Sequence, residues 1–153
     1  MRKKKQVWQS GDIFSVELED GSYCLGLILL SDLEKFDGPL CALSTNKVSD
    51  LSNISEIEEA DIKSVLFTSS DQLDKSGWQV VGHQSIKIYE KYYARYLEDG
   101  FTMIGVELIG SGIVRRFMDA CFGLYPWDGF FEKDFLDKLL LAGVKRPDQV
   151  IFK

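Results

Sequence analysis

The chain has one histidine, His83, and three cysteines, Cys24, Cys41 and Cys121. These few residues limit the nucleophilic and metal chemistry open to it. A zinc site would have to join His83 to cysteines scattered from position 24 to position 121, without the paired spacing that puts two ligands on one turn. A Cys–His or Ser–His nucleophile would also depend on His83, which follows Gly82 in a segment that reads as a turn. No GxSxG elbow, GxxxxGK[ST] loop or HExxH helix occurs. Glycines 105, 110 and 112 invite comparison with a phosphate loop. Their spacing is wrong, however, and no helix start is evident after Gly112 to aim amides at an anion. Carboxylates are plentiful, but in an acidic chain with no identifiable cleft they carry no catalytic meaning. The sequence therefore predicts no catalytic residues, no metal site and no cofactor.

Charge points instead to binding. The net charge is −6, and because residues 2–5 are all basic, the rest of the chain carries 14 basic against 24 acidic side chains. A body this acidic, with a pI near 4.8, repels phosphate backbones and argues against direct nucleic-acid binding. It would attract a basic protein partner, although an acidic surface also serves solubility alone. Much of the surplus lies in residues 46–61, where Asp50, Glu56, Glu58, Glu59 and Asp61 face only Lys47 and large hydrophobic residues are few. This stretch reads as an exposed loop or short helix, and it is a candidate partner-binding segment. Trp78 and Trp127, beside turn residues in Ser76-Gly77-Trp78 and Pro126-Trp127-Asp128-Gly129, are candidate interface anchors. Tryptophans that cap the core at the sheet ends would have the same sequence setting.

The elements that must position these residues read as a single α+β domain over 1–153, with residues 1–8 a flexible basic arm. A chain of this length buries roughly 68–70% of the surface its unfolded form exposes, so it can fold without disulfides or metals. An odd number of widely spaced cysteines suits buried free thiols in a reducing compartment, hence the cytoplasm. The basic start lacks the apolar segment of a signal peptide, and the longest apolar run, Leu25 to Leu30, cannot span a bilayer.

Phe14, Val16 and Leu18 alternate before Asp20-Gly21, the pair favoured in a type I′ turn. Pairing outward from that turn puts Leu18, Val16 and Phe14 opposite Tyr23, Leu25 and Leu27, all on one face. The second strand is apolar on both faces and should be central and covered twice. Leu97-Glu98-Asp99-Gly100 repeats the pattern and predicts a second hairpin, with Tyr93, Arg95 and Leu97 against Thr102, Ile104 and Val106. Gly110-Ser111-Gly112 would then turn the chain into a further strand, Ile113 to Phe117. Short β-like runs lie at Lys63–Phe67 and Ile86–Tyr89, and Ser70–Asp74 reads as one capped helical turn. Phe131, Phe135, Leu136, Leu139 and Leu140 form an apolar stripe that predicts one main C-terminal helix ending at Gly143. The expected architecture is a curled antiparallel sheet, or a barrel-like hairpin meander, with that helix against it. Its buried set would include Phe14, Val16, Leu25, Leu27, Ile104, Val106, Phe135 and Leu139.

Several of these segments also carry a family resemblance. Lys3-Lys4-Lys5-Gln6-Val7-Trp8-Gln9-Ser10-Gly11-Asp12-Ile13-Phe14-Ser15-Val16, followed by Leu18-Glu19-Asp20-Gly21-Ser22-Tyr23 and Gly26-Leu27-Ile28, resembles the immunity protein 26 family of bacterial polymorphic toxin systems. Val65-Leu66-Phe67, Leu73 and Ser76-Gly77-Trp78-Gln79-Val80-Val81-Gly82 are similar to it too. The resemblance implies a non-enzymatic cytoplasmic antitoxin whose partner is a toxin's effector domain, and an acidic inhibitor suits a basic nuclease. A small-molecule-binding regulatory or stress domain, built around a pocket between sheet and helix, is the alternative reading.

Overall fold

The computed structural model describes residues 5–153. Six strands, β1 (Asp12–Glu17), β2 (Tyr23–Leu30), β3 (Leu40–Val48), β4 (Ile62–Thr68), β5 (Gln79–His83) and β6 (Leu108–Ile109), form one sheet in the order β5-β1-β2-β3-β4-β6. The sheet is open and no barrel closes. β6 is only two residues long, pairs parallel with Phe67 and Thr68, and is followed at once by a helix. The other neighbouring strands pair antiparallel. β2 lies centrally and is buried from Cys24 to Leu30, as its two apolar faces require.

The expected register of the first hairpin is wrong by one residue. Phe14 pairs with Gly26 and Val16 with Cys24, so Phe14 and Leu25 point to opposite faces. The turn explains the slip. Gly21 N–H donates to Leu18 O at 3.0 Å and Leu18 N–H to Ser22 O at 2.7 Å. Gly21 has φ +84, while Asp20 stays at negative φ. That is a type I turn closed by a glycine bulge, one residue longer than a type I′ turn. Asp20 Oδ1 accepts the Ser22 N–H and hydroxyl, which holds the bulge. The slip also matches the packing: a Cβ at Gly26 would stand 2.4 Å from Phe14 Cζ, so only glycine leaves room for that ring. Phe14 in turn stacks on Trp78 at 5.2 Å between centroids.

Each face of the sheet has its own apolar core. Phe14, Val16, Leu18, Cys24, Ile28, Cys41 and Leu43 belong to one, and Ile13, Leu25, Leu27, Leu29, Leu40, Ala42 and Phe67 to the other. The first is covered by α3 (Ser111–Cys121), whose Val114, Phe117, Met118 and Cys121 recur at helical spacing. The expected strand at 113–117 is therefore a helix. Gly110 is its N-cap, contrary to the reading that no helix starts there. Asp71–Asp74 forms α1, the single helical turn that was expected, but without the expected cap: the Ser70 hydroxyl donates to Asp74 Oδ2 at 3.0 Å rather than accepting a backbone N–H. The long C-terminal helix is absent: α4 spans only Phe135–Leu139, with Leu136 buried, Phe135 and Leu139 half-buried and Phe131 fully exposed. Leu140 is already extended at φ −68, ψ 144, which ends the stripe before Gly143.

The second core is covered by residues 86–106, where a second hairpin and a strand at 86–89 were expected. Helical turns run instead from Lys87–Tyr89 through α2 (Glu90–Tyr93) to Ala94–Leu97. Tyr89, Tyr92, Tyr93 and Tyr96 pack down on the sheet, at i, i+3, i+4 and i+7, which is the period of a helix. Asp99-Gly100 still makes a turn, but no strand follows it before β6, and Ile104 is exposed and Val106 only half-buried. Of the basic start, residues 1–4 lie outside the described residues. Gln6 is tied to the edge of β5: its amide donates to Leu73 O and Trp78 O and accepts from Val80 N–H.

Candidate functional site

The acidic stretch leaves β3 at Val48 and re-enters the sheet at Ile62. It is pinned at its middle. Ile57 is buried, its N–H donates to Gln84 Oε1 at 2.7 Å, and its carbonyl accepts from Gln84 Nε2 at 3.0 Å and Tyr89 OH at 2.6 Å. Gln84 and Tyr89 are themselves buried. A buried polar side chain with both its groups matched costs little and fixes the backbone it holds. Glu56 and Glu58 flank this anchor, both exposed and both without an ion pair among the described residues. With Ser55, Ser85 and the exposed Ile88 they border an open hollow of about 400 Å³.

The other three acids are less free. Asp50 accepts the Ser52 N–H at 2.9 Å, which holds its carboxyl below the usual range. Glu59 pairs with Lys91 and accepts from Tyr92 OH, and Lys91 chiefly depresses its carboxyl while being raised in return. Asp61 is half-buried at the end of a short helical turn, Glu59–Asp61. Of the five acids only Glu59 is ion-paired among the described residues, and Glu56 and Glu58 are the exposed pair held on the pinned backbone.

The two tryptophans lie elsewhere. Trp78 is buried against Phe14, and Trp127 is buried against Phe117 with its Nε1–H donated to Asp137 at 2.9 Å. Neither ring is presented at the surface, so the turn-flanking tryptophans serve the core on the α3 side of the sheet. Of the exposed large apolar side chains, Ile88, Leu97 and Ile104 lie on the opposite cover, while Val7, Leu33, Leu108, Phe131, Ile151 and Phe152 lie outside it. The strand alternation over 93–106 would place Leu97 and Ile104 on facing strands and bury Ile104, and no short-range pattern marks either as exposed, because isolated exposed aliphatics are ordinary in any sequence.

The remaining chemistry-bearing groups are occupied or buried. His83 Nδ1 stands 2.9 Å from Asp12 Oδ1, and its ring packs over Gly11, whose φ is +92. All three cysteines are free and buried, and burial raises their thiols, that of Cys121 to about 12. A thiol in that state is a small hydrophobe rather than a nucleophile. Among the described residues no group of three His, Cys, Asp or Glu side chains could hold a metal ion, and no helix is long and apolar enough to cross a membrane. A surface hollow of about 630 Å³ beside Tyr92 and Leu141 stands open.

The model of a protein family, Immunity protein 26, matches residues 9–100, more than half of the chain. The chain belongs to that family. The match takes in β1 to β5, the acidic stretch and the helical turns as far as the Asp99-Gly100 turn, and stops before the 101–107 loop, β6, α3 and α4. No curated protein and no solved structure matches.

Proposed function

We propose that this member of the immunity protein 26 family is a cytoplasmic antitoxin that binds the effector domain of a bacterial polymorphic toxin and blocks it without chemistry of its own. The family match carries the reading. The pinned acidic loop supplies a means. Glu56 and Glu58, held out on either side of the buried Ile57, form part of the toxin-binding face. Glu59 and Asp61 extend that rim, and Asp50 shapes the approach to it. Rim charges of one sign steer a partner of the other sign into encounter, and a basic nuclease domain is the partner such a rim suits.

The test replaces Glu56, Glu58 and Glu59 with Gln and Asp61 with Asn together, then measures association with the effector domain encoded beside this gene at low and moderate salt. The on-rate should fall by about tenfold at low salt and lose most of its salt dependence, with dissociation little changed. Unchanged on-rates at both ionic strengths, in a variant that melts like the parent, exclude the stretch as a steering surface.

A further inference from the structure

The acidic loop and a second surface feature lie on the same side of the sheet. Ile57 and Tyr89, which hold the loop, belong to the same core as Tyr96, Phe101, Met103 and Val106 further along the cover. At that far end the chain makes two tight turns in succession. Phe101 N–H donates to Glu98 O at 3.2 Å and Val106 N–H to Met103 O at 3.0 Å. Gly100 (φ +84) and Gly105 (φ +80) supply the left-handed residue in each. Phe101 packs edge-on to Tyr96 at 5.1 Å and tilted on Phe36 at 6.1 Å, so the turns are fixed from beneath.

On this fixed base Ile104 stands 90% exposed at the tip of the second turn, and Leu97 is 51% exposed just before the first. Arg95, Tyr96, Phe101, Gly105 and Val106 line an open hollow of about 430 Å³. The charges around it are mostly acidic: Glu98, Asp99 and Glu107 are exposed, against Arg95, whose guanidinium stands 4.7 Å from the Tyr96 ring centroid, and Lys138, which lies close enough to Glu107 to feel its charge. Exposed Phe131, by contrast, stands beside a mixed set, with Glu132 paired to Lys138 and Lys133 adjacent.

We infer that the Met103–Val106 turn, with Leu97 beside it, is the apolar anchor of the toxin-binding face, and that it seats in an apolar socket ringed by lysine and arginine side chains on the effector domain. The inference rests on the antitoxin reading above. An aliphatic side chain held at the tip of a pinned turn loses little freedom on binding, so its burial goes largely into affinity. Apolar anchors at the centre of a desolvated patch, with charge at the rim, are the usual division of labour in such complexes. The Met103–Val106 turn lies beyond the family match, and Leu97 just inside its end, so the tip of the anchor can differ between partners without disturbing the matched sheet.

The test uses the full chain and an inactivated effector domain encoded beside its gene, with Ile104→Asp, Ile104→Lys, Leu97→Asp and Phe131→Asp compared with the parent. Both Ile104 variants and Leu97→Asp should melt like the parent and raise the dissociation rate by about tenfold or more. Ile104→Lys should be the worse of the Ile104 pair, because it carries a like charge into a basic socket, and Phe131→Asp should bind normally. Ile104 variants that bind within about twofold of the parent overturn the anchor and leave the antitoxin reading standing. A reversed order of Asp and Lys overturns the basic socket. If the parent self-associates through this turn and Ile104→Asp is monomeric, the occupant is a second copy and the inference fails. If the parent does not bind the effector domain at all, the antitoxin reading falls, and the anchor with it.

Discussion

Leu18-Glu19-Asp20-Gly21 and Leu97-Glu98-Asp99-Gly100 are the same four residues, and both glycines sit at φ +84. They do different work. In the first the hydrogen bond closes from Gly21 to Leu18 and joins two strands. In the second it closes one residue later, from Phe101 to Glu98, and follows a run of helical turns. The first is also tied down from outside: Asp119 of α3 accepts the Glu19 N–H at 2.9 Å, Arg115 reaches Glu19 at 3.2 Å, and Lys47 pairs with Asp20 at 2.8 Å. Among the described residues no such side-chain tie reaches Glu98 or Asp99. A turn tetrapeptide encodes a bend, and the periodicity on either side decides what the bend connects. One region uses its bend to build the sheet; the other uses it to present a surface.

The largest expected difference is at the leucines. Leu18 is 1% exposed, so Leu18→Ala should cost about 2–5 kcal/mol. Leu97→Ala should stay within about 0.5 kcal/mol, as surface changes do. Urea melts of the two variants measure the contrast, and equal losses would break it.

At the glycines the regions should instead agree. No atom lies within 4 Å of a Cβ built at Gly21 or Gly100, so backbone strain alone opposes a side chain there. Gly21→Val and Gly100→Val should each cost about 1–2 kcal/mol. A harmless Gly21→Val would remove the bulge assignment.

The smallest difference is electrostatic. Lys47, then the Ser22 hydroxyl and N–H, hold the Asp20 carboxyl well below its usual range. Its contribution is therefore present above the unfolded value of about 3.9 and is lost as the pH falls below that. Asp20→Ala should lower the melting temperature slightly at neutral pH, with the gap closing in acid, while Asp99→Ala should change nothing at either pH.

The same contrast explains what could be read from the sequence. Phe14, Val16, Leu25 and Leu27 could be assigned to the core because strand alternation and an apolar run survive any choice of turn. Their register could not, because one bulged residue moves every partner and Asp-Gly suits both turn types. Tyr93, Arg95 and Leu97 satisfy a two-residue period, yet Tyr89, Tyr92, Tyr93 and Tyr96 satisfy a helical one. Only the buried partners, Ile57 and Phe67, select between them. The C-terminal stripe failed for the opposite reason: Phe131 to Leu140 has helical spacing without enough of a face to bury, and only Leu136 is fully enclosed. The acidic stretch could be found from composition alone. Its anchoring by Gln84 and Tyr89, and the exposed Ile104 turn, depend on contacts between distant residues that no local pattern encodes.

The most direct test is a titration of the purified chain into the purified, active effector domain it is proposed to bind, followed by the toxin's own activity. Stoichiometric blocking predicts that activity falls linearly and ends at a fixed molar ratio, whatever the incubation time. Toxin activity unaffected by an excess of the chain would contradict neutralisation. Inactivation that proceeds with time at a small fraction of an equivalent would contradict the absence of catalysis.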